Sequence, residues 1–218
     1  PGQAAEAIGK LKENTQVEIV TRMEKEQAAQ LLEDLHSDEA ANILREMPKE
    51  KAAELLQLLK KDKAKELKWL LNYKKDTAGS LMTTEFIRLP ITFTVEQTIE
   101  HLRRFAQDAE MINYLYVTDV DEKLLGVFSL RELILAEPEI TLGRLMHSKV
   151  ITVQVNDSRK KVAEIIHKYG LLAVPVLDAE GFLHGIVTVD DVLDLFMVDR
   201  TLKASMSRYL NKRGLRRK

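Results

Sequence analysis

The stretch VPVLDAEGFLHGIVTVDDVLDLF, residues 174–196, determines how the rest of this 218-residue chain is interpreted. It predicts two short buried strands, over 174–177 and 184–189, joined by the turn Asp-Ala-Glu-Gly. A helix is predicted to begin at Asp190, because the apolar residues that follow recur at helical spacing. So small a unit buries too little surface to be stable alone, so we expect it to pack against another part of the chain.

The same pattern occurs earlier, as YVTDVDEKLLGVFSLRELI over residues 116–134. The two copies align without a gap at a spacing of 59 residues, so that Gly126 matches Gly185. A predicted strand and helix precede each copy, which makes two β-α-β-β-α units, one over 76–139 and one over 140–198. We expect the two units to pack together as one body.

A second repeat, with a period of twelve, covers residues 24–71 and reads EKEQAAQLLEDL, HSDEAANILREM, PKEKAAELLQLL and KKDKAKELKWLL. Each copy has an acid at its third position, alanine at its fifth and an apolar residue at its last, as in a short amphipathic helix. Residues 12–23 are interpreted as a degenerate first copy. Helices this short are marginal alone, so we expect them to stack as an all-α superhelical domain over 1–75, with a hinge at 72–80.

Composition narrows the class of protein. Apolar residues make up 45% of the chain and charged residues 31%, as in a soluble globular protein. The chain has no cysteine, which excludes disulfides, cysteine nucleophiles and thiolate metal sites and agrees with a cytosolic location. No apolar run approaches the roughly 20 residues that a membrane span needs. No pairing of a nucleophile with a base indicates an enzyme.

The formal net charge of −1 hides a strong asymmetry along the chain. Residues 1–75 carry 14 Lys/Arg and 14 Asp/Glu, whereas residues 76–198 carry 11 against 19, a net of −8. The last segment, 199–218, carries 8 against 1, a net of +7. This basic tail fits a helix leading toward a membrane, a contact with anionic lipid or with the acidic units, or a solvated terminus. We predict no specific nucleic-acid partner.

Taken in order, several segments resemble the cytosolic part of MgtE-type magnesium transporters. They are the helical repeats, YKKDTAGSLMTTEF over 73–86, QDAEMINYLYVTD over 107–119 and the stretch over 174–196. The motif G-I-V-T-x-x-D occurs in CBS domains generally, whereas D-x-A-G-x-L-M-T and D-A-E-x-I are specific to the MgtE family. The resemblance covers about residues 15–196 and implies an α+β fold, with a helical N-terminal domain followed by tandem CBS domains.

The resemblance also implies a function and partners. In the family, the cytosolic region is a homodimer on the cytoplasmic side of the membrane that senses magnesium and gates a transmembrane pore. This chain lacks the pore, so we expect either a fragment of a transporter or a relative without a pore. Homodimerisation through the CBS domains is the expected assembly, and the pore domain of the same polypeptide is the expected partner of a fragment.

Carboxylates are the only predicted metal ligands. Mg²⁺ takes oxygen ligands, keeps several waters and is typically held by one or two carboxylates. The resemblance implies that Asp178, Glu180 and Asp190 take part in regulatory Mg²⁺ binding. The alternative interpretation is that the first two form a turn and the third caps a helix. The first copy has Arg131 where the second has Asp190, so the ion site is predicted on the second copy.

In the family, a carboxylate pair near the end of the helical domain faces these acids. Here the matching segment reads LLQLLKKDKAKEL, with Lys60 and Lys61 near the expected acid, so Glu54 and Asp62 are the candidate substitutes. The predicted mechanism is electrostatic. Acids that face each other across domains and subunits repel without Mg²⁺, and bridging ions relieve the repulsion and compact the assembly, which closes the pore.

A second interpretation is a CBS module that senses an adenine nucleotide such as ATP. Many CBS pairs contact the ribose with a Ser or Thr and an acid three residues later. Both copies contain this spacing, as Thr188 with Asp191 and Ser129 with Glu132. The same spacing fits a helix capping box, and the chain has no glycine-rich phosphate loop. Nucleotide binding and ion sensing are compatible with each other.

Overall fold

The computed structural model describes residues 2–9, 11–107 and 109–193. Its N-terminal part is helical, and five successive helices begin twelve residues apart, as the repeat predicts. The helices of this region are α1 Gly2–Gly9, α2 Glu13–Arg22, α3 Lys25–Asp34, α4 Ser37–Glu46, α5 Lys49–Leu58 and α6 Lys61–Leu71. The segment 12–23, interpreted as a degenerate copy, forms α2 and ends at Met23, which caps the helix in an extended conformation.

The repeat positions explain how these helices pack. The fifth-position alanines, Ala28, Ala40, Ala52 and Ala64, are all buried. Each of them also donates the first helical hydrogen bond, to the carbonyl of the residue that opens its copy. Alternate helices pack on each other, α2 on α4, α3 on α5 and α4 on α6. Alanine at the contact lets the helices approach closely, and the result is the superhelical stack that the sequence predicts.

The two β-α-β-β-α units follow, each with its own three-stranded sheet. The elements of the first are α7 Ala78–Leu81, β1 Phe86–Pro90, α8 Val95–Phe105, β2 Met111–Thr118, β3 Leu124–Ser129 and α9 Leu130–Leu135. The elements of the second are α10 Leu142–Leu145, β4 Val153–Gln154, α11 Arg159–Tyr169, β5 Ala173–Leu177 and β6 Leu183–Thr188. In each sheet the middle strand, β2 or β5, pairs in parallel with the strand before it and antiparallel with the strand after it.

The end of the second unit differs in part from the prediction. The helix expected from Asp190 is observed as a 3₁₀ turn, Asp190–Val192. The rest of that predicted helix, including Phe196, and the basic tail lie outside the described residues. No helix within the described ranges is both long and apolar enough to cross a bilayer.

The opening segment of each unit packs on the sheet of the other unit. Thr83 forms a bridge to Ile186 in β6, and His147 forms the equivalent bridge to Val127 in β3. Residues 77–80, which belong to the predicted hinge, are buried and partly helical because a capping box at Thr77 fixes them. This exchange of segments joins the two units into one body, as the small size of each unit requires.

The helical region packs mainly on the second unit. Its core is continuous with that of the second unit, through buried residues in and just after α7 such as Ala78 and Met82. Trp69 near the end of α6 packs on His184 of β6, with ring centroids 5.5 Å apart, and on Tyr73 at 5.2 Å. The segment from the end of α3 to the start of α4 lies near the carboxyl end of β6, where the acidic stretch of the second unit begins.

Glycine at position 185 is required by the exchanged segment. A Cβ atom there would lie 2.6 Å from the backbone oxygen of Thr83. We expect Gly185→Ala to destabilise the protein by about 1–3 kcal/mol, because backbone must move to admit the methyl group. Gly126→Ala is the matched control and should cost less, since the nearest atom at 2.6 Å is the sulfur of the flexible Met146. Urea unfolding of both variants measures the difference, and equal midpoints would contradict this account.

Candidate functional site

Several acidic side chains line a cavity of about 470 Å³ where the helical region meets both β-α-β-β-α units. The helical region contributes α1 and the segment from the end of α3 to the start of α4. The first unit contributes the residue before β2, and the second unit contributes the 3₁₀ turn. The titratable residues of the lining are Asp34, His36, Asp38, Glu39, Glu110, Asp190 and Asp191.

Asp38 is the acid that the helical region places deepest. It lies in the first turn of α4 and is buried, and its Oδ1 has no hydrogen-bond partner among the described residues. Burial raises the pKa of Asp38 well above its ordinary value, and the charges of Asp191 and Glu110 raise it further. A buried carboxylate oxygen without a partner is costly, so this position favours a proton or a cation beside it.

Glu110 and Asp191 approach Asp38 from the two units. Glu110 lies just before β2, and one of its carboxylate oxygens, Oε2, is buried without a partner among the described residues. Burial raises the pKa of Glu110, and hydrogen bonds from Thr83 and Thr188 oppose the shift. Asp191 accepts two hydrogen bonds at 2.8 Å, from the backbone nitrogen and the hydroxyl of Thr188. Burial, followed by the charge of Glu110, raises the pKa of Asp191 to about 7.

The three carboxyl groups therefore come from three separate parts of the fold. Asp191 and Glu110 raise the pKa of Asp38, and Glu110 raises the pKa of Asp191. Such mutual repulsion is relieved by protons or by a cation between the groups. Within the described ranges, no three His, Asp or Glu side chains are placed so that they could jointly bind a metal ion. The donor set fits Mg²⁺ that keeps most of its waters, for which one or two carboxylates suffice.

A cationic cluster lies beside the cavity. The Lys63 ammonium donates to the carbonyl of Leu35 at 3.0 Å, to the hydroxyl of Ser37 at 2.8 Å and to Glu85 Oε1 at 3.2 Å. His36 pairs with the other oxygen of Glu85, and this hydrogen bond raises the pKa of His36. Burial acts to raise the pKa of Glu85, but His36 and Lys63 lower it overall. The cluster joins the helical region to the residue before β1, so one interdomain carboxylate is already neutralised by the protein.

Of the predicted metal ligands, only Asp190 lines the acidic cavity. Asp178 is held in the turn, where Oδ1 accepts from the backbone nitrogens of Glu180 at 3.1 Å and Phe182 at 2.9 Å. Its Oδ2 pairs with His184 at 2.8 Å, and although burial acts to raise the pKa of Asp178, these bonds lower it overall. Asp178 and Glu180 therefore do what the turn interpretation expects, and neither of them lines the cavity.

The candidates in the helical region lie elsewhere. Glu54 forms an ion pair with Lys25 at 2.5 Å, and both side chains are about half exposed. Asp62 is exposed in the first turn of α6. The structure instead brings Asp38, Glu39 and Glu110 to the cavity. The sequence patterns do not predict these three residues as ligands. Asp38 is the third-position acid of its repeat copy, and its counterparts Glu26, Glu50 and Asp62 are exposed, so the repeat alone does not distinguish it.

A second cavity, of about 280 Å³, lies between the two sheets. Tyr114 and Tyr116 of β2 form one side, and the small residues Ala173 and Pro175 of β5 form another, with Lys149 also in the lining. His147 lines it as well and connects it to the predicted ribose-binding pair. The remaining lining residues are Val127, Val150, Ile151 and Leu171.

The Ser129 and Glu132 pair lies next to this second cavity. Glu132 Oε2 accepts from the backbone nitrogen and from the hydroxyl of Ser129, both at 2.7 Å, and its other oxygen contacts His147 Nε2 at 2.6 Å. Burial acts to raise the pKa of Glu132, but His147 and Ser129 lower it overall, so the carboxylate form is favoured. The pair is a capping box for α9 in this structure, as the alternative interpretation expects.

The Thr188 and Asp191 pair lies in a different environment. Phe86 occupies the position in the first unit that Val150 occupies in the second, and its ring packs edge-on against Tyr116 with centroids 5.8 Å apart. Asp191 of this pair and Glu110 both line the acidic cavity. The Thr188 and Asp191 pair therefore adjoins the acidic cavity, whereas the Ser129 and Glu132 pair adjoins the cavity beside Tyr114.

Comparison with known protein families agrees with this architecture. Residues 1–76 match the MgtE intracellular N domain, and residues 78–139 and 142–198 match the CBS domain. The fold and sequence thus define a tandem CBS protein with a helical N-terminal domain. The predicted fold class is confirmed.

Solved structures and curated relatives identify the family. The crystal structure of the cytosolic domain of the Mg²⁺ channel MgtE in complex with ATP is 38% identical, with a TM-score of 0.84, and the match covers 89% of this chain and 79% of that one. The soluble part of a magnesium transporter is 36% identical, with a TM-score of 0.87, covering 92% and 79%. The magnesium transporter MgtE of Thermus thermophilus is 44% identical over 132 residues, 61% of this chain and 29% of that protein.

The chain belongs to the MgtE family, and it corresponds to the cytosolic region of these transporters. The predicted resemblance is confirmed. The chain spans less than a third of the length of the T. thermophilus and Bacillus subtilis transporters that it matches, 29% and 28% respectively. These relatives are transporters and their cytosolic domains rather than enzymes.

The raised pKa values predict how stability depends on pH without metal. A carboxyl group whose pKa is raised on folding binds a proton in the folded state that the unfolded chain has lost, so stability falls as pH rises from about 4 toward the folded pKa. For Asp191 that window ends at about 7, and the raised pKa of His36 acts in the same direction. We expect the melting temperature in EDTA to fall steadily between about pH 5 and pH 8.

Asp38→Asn should flatten this dependence, because it removes one of the three interacting carboxyl groups. Asp62→Asn, an exposed acid on the same helical region, should leave the dependence unchanged. A melting temperature that stays constant or rises between these pH values in the wild-type protein would show that the three acids are not coupled as described.

Proposed function

We propose that this chain is a magnesium-sensing regulatory region, in which Mg²⁺ binding in the acidic cavity holds the helical domain against the CBS pair. The observation that carries the proposal is the convergence of Asp38, Glu110 and Asp191 from three domains, two of them with unpartnered buried oxygens. The similarity to the cytosolic domain of a Mg²⁺ channel supports the choice of ion.

The mechanism follows from the charges. Closure desolvates the three acids together, so the closed state is unfavourable while they are all ionised. A hydrated Mg²⁺ between them neutralises two charges and supplies donors for the free oxygens through its waters. An ion that binds the closed state better than the open one shifts the population toward closure. Because few protein oxygens need to replace ion-bound water, we expect a weak site that responds to millimolar ion.

The proposed context is the cytoplasmic side of a membrane. In a transporter of this family, closure would be transmitted to a transmembrane pore outside this chain, and the pore would then close. We also propose homodimerisation through the CBS pair. Several large apolar side chains on its helices are exposed, and the most prominent are Phe105, Ile134, Leu135 and Tyr169.

Trp69 provides a direct test of Mg²⁺-dependent closure, because it is the only tryptophan of the chain and packs on His184 across the interface. We expect MgCl₂ added at millimolar concentrations to change the Trp69 emission and to reduce the radius of gyration in small-angle scattering. Asp38→Asn should close without Mg²⁺ and lose most of the response, because the amide removes the charge that opposes closure.

Asp62→Asn is the matched control and should respond like the wild-type protein. The cavity would be rejected as the sensor if Asp38→Asn retained the wild-type response while Asp62→Asn lost it. That outcome would instead assign the helical half of the site to Asp62, the acid that the sequence predicts.

A second function is favoured by the cavity between the sheets: binding of an adenine nucleotide. The cavity has apolar walls for a base, Glu132 beside it for a ribose diol, and Lys149 for a phosphate. A relative with 38% identity over 89% of this chain has been solved in complex with ATP. Of the two predicted ribose-binding pairs, Ser129 with Glu132 is favoured, because the other pair adjoins the acidic cavity, whose carboxylates would repel phosphate.

Two isosteric variants distinguish the pairs. We expect Glu132→Gln to weaken ATP binding by about tenfold or more, because a charged acceptor is lost from the ribose. Asp191→Asn should bind ATP as the wild-type protein does. Titration calorimetry at fixed Mg²⁺ measures both affinities. Weaker binding in Asp191→Asn alone would move the nucleotide to the other cleft.

A further inference from the structure

Lys63 carries a charge that the fold encloses at the contact between the helical region and the CBS units. Its side chain is 13% exposed, and its ammonium donates to the Leu35 carbonyl at 3.0 Å, the Ser37 hydroxyl at 2.8 Å and Glu85 Oε1 at 3.2 Å. An ammonium has three donors, so all of them are used. The first two acceptors belong to the helical region, and Glu85 precedes β1 on the CBS side. Lys63 therefore links the two parts of the molecule with one positive charge.

The twelve-residue repeat shows what Lys63 adds to an ordinary contact between helices. Lys51 occupies the same fourth position one copy earlier, and its ammonium donates to the Thr21 carbonyl in the last turn of α2. Lys63 makes the equivalent contact with Leu35, which caps the carboxyl end of α3. Carbonyls at the ends of helices lack partners within the helix, so a lysine in either place stabilises the helical stack. Lys63 in addition contacts Glu85, which lies on the CBS side.

We propose that Lys63 is a tethered cation that helps to hold the helical domain against the CBS pair without magnesium. The inference rests on the proposed sensor and adds a fixed component beside the exchangeable ion. A carbonyl, a hydroxyl and a carboxylate are the kinds of oxygen that hard cations bind, and here an ammonium of the chain itself lies between them. Because this charge is covalently attached, its contribution to closure does not depend on ion concentration. Part of the closing free energy is then always present, so a lower magnesium concentration completes closure.

Lys63→Met tests the inference, because it keeps most of the length of the side chain and removes the charge. Glu85 should stay in place, since His36 holds its other oxygen, but the contact then contains an acid that an ion must neutralise. In EDTA we expect the variant to melt about 4–8 °C lower than the wild-type chain. Millimolar MgCl₂ should restore most of this loss, and the magnesium midpoint of the Trp69 emission change should rise about tenfold.

Lys51→Met is the matched control. It should also melt lower in EDTA, because a contact at a helix end is lost, but MgCl₂ should add no more to its stability than to that of the wild-type chain. Adding Glu85→Gln to Lys63→Met should remove the extra magnesium requirement, since no acid is then left at this contact to neutralise. The double variant also tests the inference if Lys63→Met alone does not fold.

The possible results separate the role of Lys63 from the proposed sensor. A loss of stability in Lys63→Met that MgCl₂ does not restore would overturn the inference, because it indicates a packing role only. Equal magnesium responses in the wild-type chain and Lys63→Met would also overturn it, while leaving the sensor intact. A response in Lys63→Met alone would support the tethered cation and reject the acidic cavity as the wild-type sensor. No response in either protein would overturn both proposals.

Discussion

The arrangement of the domains depends on the repulsion among three carboxyl groups buried at one junction. Asp38 comes from the start of α4, Glu110 from the residue before β2 and Asp191 from the turn after β6. Apolar packing holds these groups close together, because the hydrophobic core of the helical region continues into the second CBS unit through α7. The apolar contact therefore favours closure while the acids oppose it. A junction balanced in this way changes state with a modest change in local charge, which is the property a sensor requires.

The duplication explains how one chain holds two different sites. The two units repeat the same strands and exchange equivalent segments, with glycine at 126 and 185 where each segment crosses the other sheet. Their clefts differ in the side chains that line them. Asp191 and Glu110 place one cleft at the acidic junction, whereas the other lies between tyrosines and small residues. In the proposed function, the two units thus share a fold, but their different side chains assign ion binding to one cleft and nucleotide binding to the other.

The fold could be predicted from the sequence because its signals are local. The twelve-residue period gives the helix starts, and the paired strand–turn–strand patterns give both sheets. The site could be predicted only in part. Asp190 was identified because it lies on the recognised motif, but Asp38 looks like any first-turn acid of the repeat and becomes special only through burial against the CBS pair. Asp178 was chosen because of its motif position, yet its oxygens are used within its own turn. Burial and partner identity are tertiary properties, and a local pattern does not contain them.

The lysine-rich segment that departs from the family pattern contributes a fixed positive charge to this junction. Lys63 presents three donors to three acceptors, and one of these is Glu85 on the CBS side. A covalently attached ammonium thus neutralises one interdomain acid permanently, whereas the acids at the cavity depend on a proton or an exchangeable cation. The more charge the protein neutralises with its own side chains, the less differential ion affinity closure requires. In the proposed sensor, the division between fixed and exchangeable cations therefore sets the magnesium concentration at which the domains close.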